Sequence, residues 1–357
     1  MTKLCVVAIC KNEEKYISAW LHHVRHADKI CVVDTGSTDR TQALLESYSN
    51  SMPHLSIMYE LSPDVDLGSS RNLAASECGP NDLLVWLDID EQFSDPDWVQ
   101  TLKSTYLEEI DNGLAGLYVR MHNGTSIYPQ LKAYVNSKYS WKYRAHEVLM
   151  ALPQEGTYLA PVNAFHTNHY PDMEKPRNYL LPLALDMRDN PRDTRVIFYY
   201  ARELFYDVIY ERTDDIAGRY EEAKLLMDRL TQMECWTDYR CLLAQDYMRA
   251  AYMVGIMEDS ISAGYIGLAA RPDRVESYGT FADLVQRCGD NVTALSLAIQ
   301  GLSKTNSHNL LFESYIPNMD LCYGIAAKSC EELGMADKAL YYRAAKKQYI
   351  EDTSKEE

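Results

Sequence analysis

The sequence lacks the features of several common protein classes. No stretch approaches the roughly 18–20 consecutive apolar residues of a membrane-spanning helix. The first ten residues lack the length and cleavage site of a signal peptide and lead straight into an apolar run. The nine cysteines form no Cys-x-x-Cys pair and show no zinc spacing. We therefore interpret them as reduced thiols and expect a cytoplasmic protein.

Basic residues and phenylalanine are also scarce. The net charge of −17 excludes a protein whose main role is to wrap nucleic acid. Only 6 Phe accompany 27 Tyr, a balance that suits half-buried positions between packed helices. With 357 residues and 46% hydrophobic content, the chain is long enough to form two domains with separate cores.

Short apolar runs alternate with helical stretches in the first half of the chain. The runs predicted to be strands cover residues 4–10, 30–34, 55–60, 83–88 and 114–121, and the predicted helices cover residues 14–26, 40–48, 70–77 and 97–111. This alternation predicts βαβ units and a mostly parallel sheet.

The second half contains helical patterns only. Three glycines there precede a small residue by five positions: Gly255 before Ser260, Gly289 before Ala294, and Gly334 before Ala339. Such spacing is typical of tetratricopeptide-like repeats, with an irregular helical bundle as the alternative. We predict an α/β domain at 1–175, an all-α helical-repeat domain at 176–350 and a polar tail at 351–357.

The apolar run at 83–91 ends in the carboxylates Asp88, Asp90 and Glu91. Ligands of open α/β sheets bind at the carboxyl ends of the strands. If the strand continues through these residues, Asp88 and Asp90 share a face and could hold a divalent cation that also binds phosphate oxygens.

Polar segments follow the other predicted strands. Asn12 and Glu13 follow the first strand, Asp34 and Asp39 flank a turn after the second, and Arg71 begins a later helix. A nucleoside diphosphate needs such a set, with carboxylates for base and ribose and a cation for the phosphates. The sequence has no Gly-x-x-x-x-Gly-Lys-Ser/Thr loop, and no Gly-x-Gly-x-x-Gly follows the first strand, which favours metal over a glycine-rich phosphate cradle.

Four motifs together resemble glycosyltransferase family 2, which has the GT-A fold. They are Ile-Cys-Lys-Asn-Glu-Glu from residue 9, Val-Val-Asp-Thr-Gly-Ser-Thr-Asp from residue 32, Arg-Asn at 71 and Trp-Leu-Asp-Ile-Asp-Glu from residue 86. The resemblance implies an inverting transferase that uses a nucleotide-activated sugar, with a UDP-sugar as the expected donor, and Mn²⁺ or Mg²⁺ as cofactor. The implied donor-binding residues are Asn12, Glu13, Asp34, Asp39, Arg71 and Asp88, with Asp90 as the metal ligand.

Some of these assignments have simpler alternatives. Asp34 and Asp39 could form only an Asx-turn and a helix cap, and Arg71 could be an exposed helix residue.

The segments 143–147 and 166–170 resemble a branch of the same family with a helical-repeat tail. That branch includes peptide S-glycosyltransferases and enzymes of cell-surface glycans. The resemblance implies His166 as a further metal ligand, with His169 as the second choice. Glu147 is the candidate general base and Glu91 the other contender, because the Glu-Asp pair that often supplies the base in family 2 is not evident.

The stretch 112–146 contains no acidic residue. It carries Arg120, Lys132, Lys138, Lys142 and Arg144, interleaved with tyrosines and Trp141. These cations could meet the donor diphosphate, or they could bind an anionic acceptor such as a phosphorylated glycan, a lipid head group or a modified nucleic-acid base.

The sequence thus predicts a metal-dependent inverting glycosyltransferase acting on an unidentified acceptor, which could be a glycan, peptide, lipid or nucleic acid. The helical domain would bind that acceptor or a second copy of the chain to form a homodimer. The alternatives are a catalytically silent scaffold whose repeats bind a protein partner and, third, a nucleotidyltransferase, which would be expected to show a basic, glycine-rich loop after the first strand.

Overall fold

The computed structural model describes residues 2–60, 66–123, 126–153, 156–172, 179–304 and 315–356. The chain divides into two compact units, Met1–Asp186 and Met187–Glu357. The boundary predicted between residues 175 and 176 lies outside the described residues. In the parts of the chain that are described, no helix combines the length and the apolar character needed to cross a membrane.

The N-terminal unit is built on a mixed sheet. Its strands and those of a small hairpin are β1 (Leu4–Cys10), β2 (Lys29–Asp34), β3 (Leu55–Tyr59), β4 (Leu83–Trp86), β5 (Glu91–Phe93), β6 (Leu114–Asn123), β7 (Ser126–Val135), β8 (Tyr139–Lys142), β9 (Val148–Ala151) and β10 (Tyr158–His169). Among the described residues, eight strands form the sheet in the order β3-β2-β1-β4-β7-β6-β10-β5, and β8 pairs with β9.

The sheet is parallel where the sequence predicted βαβ units. Strands β3, β2, β1 and β4 pair in parallel, as does β6 with β10. The sequence analysis did not predict β5, β7, β8, β9 or β10. Strand β7 pairs antiparallel with both β4 and β6, and β5 pairs antiparallel with β10. These additions place β10, which ends at His169, and β5, which begins at Glu91, in one sheet with the predicted strands.

Helices cover both faces of this sheet. They are α1 (Ile17–Val24), α2 (Thr41–Ser49), α3 (Leu67–Ser76) and α4 (Trp98–Tyr106). Trp20 of α1 and Trp98 of α4 are fully buried in one apolar cluster, with Leu45 of α2. Ala74 and Ala75 of α3 belong to the cluster on the other face, with Cys5 and Cys31 of the strands. The alternating side chains of the strands supply both clusters.

The second unit is all helical in its described residues. Its helices, with α5 at the junction, are α5 (Leu180–Asp189), α6 (Thr194–Ile209), α7 (Ile216–Gln232), α8 (Thr237–Met253), α9 (Met257–Ala270), α10 (Val275–Arg287), α11 (Asn291–Leu302), α12 (Tyr315–Glu332) and α13 (Ala336–Glu356). The last helix extends through most of the stretch from residue 351.

The three glycines singled out in the sequence lie in the turns of the pairs α8–α9, α10–α11 and α12–α13. Their φ angles are +81° at Gly255, +87° at Gly289 and +74° at Gly334, a backbone conformation that favours glycine. The small residues five positions later, Ser260, Ala294 and Ala339, are almost completely buried. Each pair therefore turns on a glycine and packs through a small residue; a tetratricopeptide-like repeat stays a prediction.

Candidate functional site

The carboxyl ends of β1, β2 and β4 meet at one edge of the sheet. Cys10 at the end of β1 is opposite Asp34 at the end of β2, and β4 runs parallel to β1 on its other side. The loops after β1 and β2 are joined through Asn12, whose Oδ1 accepts from the Thr38 amide at 2.7 Å. The Asn12 amide donates to Ser37 Oγ at 2.8 Å. Asn12 adopts a φ of +55°, which asparagine tolerates better than most residues.

Asp34 is buried and organises the turn that follows β2. Its Oδ1 accepts from the amides of Gly36 at 3.0 Å and Ser37 at 2.8 Å, and from Gln42 Nε2 at 2.9 Å. Burial by itself raises the pKa of Asp34, but these hydrogen bonds outweigh it, and the net pKa is lowered. The Asx-turn considered in the sequence analysis is therefore present, and it fixes the carboxylate in the ionised form.

Asp39 ties the second loop to the first. Its side chain accepts from the amides of Thr41 at 2.9 Å and Glu14 at 3.1 Å. The Glu13 amide donates to Thr41 Oγ1 at 2.7 Å. Burial by itself raises the pKa of Asp39, but the hydrogen bonds from Thr41 and Glu14 outweigh it, and the net pKa is lowered. Asn12, Glu13, Asp34 and Asp39 thus belong to one connected pair of loops.

Arg71 joins two carboxylates that are distant in sequence. Its side chain is 8% exposed, with Nη2 2.9 Å from Asp88 Oδ1 and Nε 2.8 Å from Glu147 Oε1. The guanidinium also lies 5.2 Å from the ring centre of Trp86 and 4.8 Å from that of Trp141. Arg71 is therefore not the exposed helix residue that the sequence left open. Burial lowers the pKa of Arg71, but the two carboxylates outweigh it and raise the net pKa.

The segment that carries Glu147 packs tightly against the start of α3. The amides of Leu67 and Gly68 donate to the carbonyls of Arg144 at 3.0 Å and Tyr143 at 3.2 Å. A Cβ added at Gly68 would lie 2.5 Å from the Tyr143 oxygen, so this contact requires glycine. Tyr143 and His146 have positive φ angles of 76° and 49°. Strained backbone of this kind persists where the surrounding structure fixes it, commonly at functional sites.

The expectation that Asp88 and Asp90 share one face of a strand was wrong. Strand β4 ends at Trp86, and both aspartates lie in the turn before β5. Asp88 contacts Arg71, whereas Asp90 Oδ2 lies 3.3 Å from His169 Nε2. The Asp90 carbonyl also accepts from the Tyr170 amide at 2.8 Å.

The two histidines considered as metal ligands have different surroundings. His169, at the end of β10, is opposite Glu91 in the β5–β10 pair and contacts Asp90. His166 lies three positions before His169 in β10, so the two side chains point to opposite faces of the sheet. The His166 ring stacks on that of His122 with ring centroids 3.9 Å apart. The structure thus brings His169, and not His166, to Asp90. Within the described ranges, no three His, Cys, Asp or Glu side chains form a group that could hold a metal ion by themselves.

A buried ion pair that sequence reasoning missed supports the turn. Lys132 of β7 is fully buried, and its Nζ lies 2.6 Å from Glu91 Oε2. The same oxygen accepts from the Asp88 amide at 2.9 Å. Burial lowers the pKa of Lys132 and raises that of Glu91, as expected for charges removed from water. A lysine in the otherwise apolar stretch of a central strand was the signal available in the sequence.

The remaining cations of the basic stretch are only partly available to a ligand. Arg144 Nη1 lies 2.9 Å from Asp186, and Lys138 Nζ donates to the Leu114 carbonyl at 2.9 Å. Arg120 and Lys142 are exposed, although Lys142 Nζ lies 4.7 Å from the ring centre of Tyr143. Lys132, Lys138 and Arg144 are therefore engaged inside the unit.

Residues 5–164 match the family model described as "Glycosyl transferase family 2". A curated relative, the lipopolysaccharide core biosynthesis glycosyltransferase LpsC of Rhizobium meliloti (strain 1021), is 33% identical over 75 residues, which are 21% of this chain and 27% of the relative. The chain thus spans about a quarter of the length of the curated relative that it matches.

Solved structures with weaker likeness include S. aureus TarS 1-349, at 15% identity and a TM-score of 0.39, covering 81% of this chain and 92% of that one. Another is the mannosyltransferase PcManGT from Pyrobaculum calidifontis in complex with GDP-Man and Mn²⁺, at 13% identity and a TM-score of 0.39. The match covers 84% of this chain and 87% of PcManGT. The family match includes the loops after β1 and β2, Arg71, the Asp88–Asp90 turn and Glu147. The match to the glycosyltransferase family 2 model thus covers most of the N-terminal unit and less than half of the whole chain.

Proposed function

We propose that the chain is a metal-dependent, inverting glycosyltransferase that uses a nucleotide-diphosphate sugar. The observation that carries the proposal is the convergence of Asp34, Asp88 and Arg71, together with Asp90, at the carboxyl ends of parallel strands in a family 2 domain. This is where open α/β sheets bind nucleotides. The scaffold alternative would not need an ionised, hydrogen-bonded Asp34 or a buried arginine between two carboxylates.

The donor nucleoside would bind across the loops after β1 and β2. Asp34 would accept from the base, with Asn12, Glu13 and Asp39 holding the loop in shape, and Asp88 would accept from the ribose hydroxyls. Arg71 keeps the Asp88 carboxylate ionised: burial raises the pKa of Asp88, but Arg71 and Lys132 lower it below its usual value. A UDP-sugar is the expected donor, although GDP-, CMP- and dTDP-sugars have the same chemical groups.

The donor set at Asp90 and His169 fits a Mn²⁺- or Mg²⁺-like ion. A carboxylate and an imidazole 3.3 Å apart are ligands that Mn²⁺ accepts, and Asp90 Oδ1 has no hydrogen-bond partner among the described residues. Because these two side chains alone make an incomplete site, the diphosphate oxygens would supply further ligands. When bound, the metal would stabilise the negative charge of the leaving diphosphate as a Lewis acid.

Glu147 is the proposed general base. Its Oε1 is held by Arg71 Nε, while Oε2 has no hydrogen-bond partner in the described part of the chain. The free oxygen could take the proton of an acceptor hydroxyl, amide or thiol as that group attacks the anomeric carbon. Glu91 is a poorer candidate because it is 5% exposed and its Oε2 is occupied by Lys132 and the Asp88 amide.

The acceptor is proposed to be a glycan, a peptide, a lipid or a modified nucleic-acid base. Among the cations of the stretch 112–146, Arg120 and Lys142 are exposed and would be the ones to contact an anionic acceptor. The cytoplasmic location and the homodimer expected from the sequence stay predictions.

The test is a thermal-shift panel of UDP-, GDP-, CMP- and dTDP-sugars, each with and without Mn²⁺, on the full chain and on Asp90→Asn. A ligand at 100 times its dissociation constant stabilises a fold by about 2.7 kcal/mol, which raises the melting temperature by a few degrees. We expect a Mn²⁺-dependent shift with one nucleotide that Asp90→Asn loses. The absence of a shift with every nucleotide would refute the proposal and favour the scaffold.

A further inference from the structure

Three thiols of the N-terminal unit lie together on the face of the sheet that α3 covers. Cys5 of β1 and Cys31 of β2 are buried, and the half-buried Cys78 lies two residues beyond the end of α3. The Sγ atoms of Cys31 and Cys78 lie 3.8 Å apart, although the residues are 47 positions apart in sequence. Two sulfurs at this separation are in van der Waals contact, so modest side-chain movement would bring them to the roughly 2.05 Å of a disulfide.

The turn that carries Cys78 is held in place by side chains outside α3. Asn136 Nδ2 donates to the carbonyls of Ala75 at 3.1 Å and of Cys78 and Gly79 at 3.2 Å each. The Gly79 amide donates to Asp82 Oδ2 at 2.7 Å. The short distance between the Cys31 and Cys78 sulfurs is therefore maintained by the fold and does not depend on a loose loop.

The surroundings distinguish the thiols chemically. Hydrogen bonds from Cys31 and Cys5 lower the pKa of Cys78, and the nearby Lys29 ammonium also lowers it. The pKa values of Cys31 and Cys5 are raised, first by their hydrogen bonds to Cys78 and then by burial. The thiolate is the nucleophile in thiol oxidation, so Cys78, the least buried of the three thiols, is also the one expected to react first.

We propose that Cys31 and Cys78 are a peroxide-reactive thiol pair that closes to a reversible disulfide within the N-terminal unit. The Cys78 thiolate attacks one oxygen of hydrogen peroxide and the O–O bond breaks. Hydroxide is the leaving group, and Cys78 becomes a sulfenic acid. The Cys31 sulfur then attacks the Cys78 sulfur, the S–S bond forms and the S–O bond breaks with release of water. Two thiols are oxidised to one disulfide while one peroxide is reduced to two waters.

The disulfide would tie α3 to β2. Arg71 is a buried residue of α3, and Cys78 lies just beyond the end of that helix. The oxidised link would therefore restrain the helix that positions the Arg71 guanidinium between Asp88 and Glu147.

The experiment treats the full chain carrying Cys288→Ser with hydrogen peroxide, since Cys288 of the helical unit is exposed and would otherwise react. Alkylation, digestion and mass spectrometry then identify linked peptides, and thiols are counted in denaturant. We expect a peptide linking Cys31 to Cys78, the loss of two thiols, and their return after dithiothreitol.

Two further variants identify the partners. In Cys31→Ser, dimedone should label a Cys78 sulfenic acid, because the second sulfur is absent. In Cys5→Ser, the Cys31–Cys78 link should form as before. The proposal would be overturned if both Cys31 and Cys78 were recovered as free thiols after peroxide, or if Cys78 were linked to Cys5. Both outcomes are measured on the Cys288→Ser protein, in which every buried cysteine is still present.

Discussion

Arg71 Nε donates to Glu147 Oε1 at 2.8 Å across a sequence separation of 76 residues. The guanidinium also reaches Asp88, and the indole rings of Trp86 and Trp141 exclude water around it. A cation held between two carboxylates in low-dielectric surroundings fixes the positions of both. The proposed ribose-binding residue and the proposed base are thus placed by the same side chain.

Replacing Arg71 should damage both stability and donor binding. Arg71→Met leaves Asp88 and Glu147 without their cation, and removing one partner of a buried ion pair costs about 3–5 kcal/mol. Arg71→Lys keeps the charge but cannot donate to both carboxylates in one plane, so it should recover only part of the stability. Urea unfolding followed by tryptophan fluorescence measures this mainly in the N-terminal unit, which contains Trp20, Trp86, Trp98 and Trp141. Arg287→Met, which removes an exposed helix pair, is the matched control and should change stability by less than about 0.5 kcal/mol.

Glu147→Gln and Glu91→Gln should have different effects. If Glu147 is the base, its amide should lower kcat by about 100- to 10,000-fold while the nucleotide-induced thermal shift persists. Glu91→Gln should mainly lower the melting temperature, because the amide no longer neutralises Lys132. Steady-state rates and thermal shifts on both variants make the comparison. A larger fall in kcat for a stable Glu91→Gln would assign the base to Glu91.

Lys132 and Glu91 should be energetically coupled. Lys132→Met alone leaves a buried carboxylate without its cation and should destabilise the N-terminal unit by about 3–5 kcal/mol. The double variant Lys132→Met/Glu91→Gln removes both charges while glutamine can still accept from the Asp88 amide, so it should be more stable than Lys132→Met. A double-mutant cycle in urea should give a coupling of about 1–3 kcal/mol. Additive effects would show that the pair contributes nothing beyond its separate groups.

His169→Ala should abolish the Mn²⁺-dependent part of the nucleotide shift, and His166→Ala should leave it intact. The reason is position: His169 contacts Asp90, whereas His166 stacks on His122. Thermal shifts at several Mn²⁺ concentrations, with unfolding checked separately, provide the measurement. The reverse result would restore His166, the residue that the sequence resemblance implied, as the ligand.

The folded state should lose stability in mild acid through His23. Its half-buried ring accepts from the Phe93 amide at 3.1 Å, and burial, Arg25 and His22 lower the pKa of His23 to about 4. The unfolded chain takes up this proton near pH 6.5, before the folded chain does, so stability falls as the pH decreases from about 6.5 to 4. His23→Gln should flatten the profile in that window, as measured by urea unfolding at several pH values. Equal slopes in the variant and the parent protein would contradict the assignment.

The motifs predicted which edge of the sheet carries the candidate site, but they did not predict the contacts of its individual residues. Strand β1 was predicted at its observed bounds, and the loops after β1 and β2 lie together because parallel strands end at one edge of a sheet. The apolar run at 83–88 was extended too far, since Leu87 is buried without being part of β4. A buried residue in a strand and a buried residue just after it are equally apolar in sequence. Only the backbone pairing with neighbouring strands shows that the strand ends at Trp86.

The sequence by itself determined the βαβ half, the all-helical second unit and the candidate side chains at the strand ends. These follow from periodicity, turn residues and motif order, which are local properties of the chain. The tertiary structure decided that Glu147 contacts Arg71, that Lys132 neutralises Glu91, and that His169 and not His166 contacts Asp90. Each of these contacts depends on β7, β10 or the strained segment before Glu147. Their pairing is set by long-range packing, which no local pattern encodes.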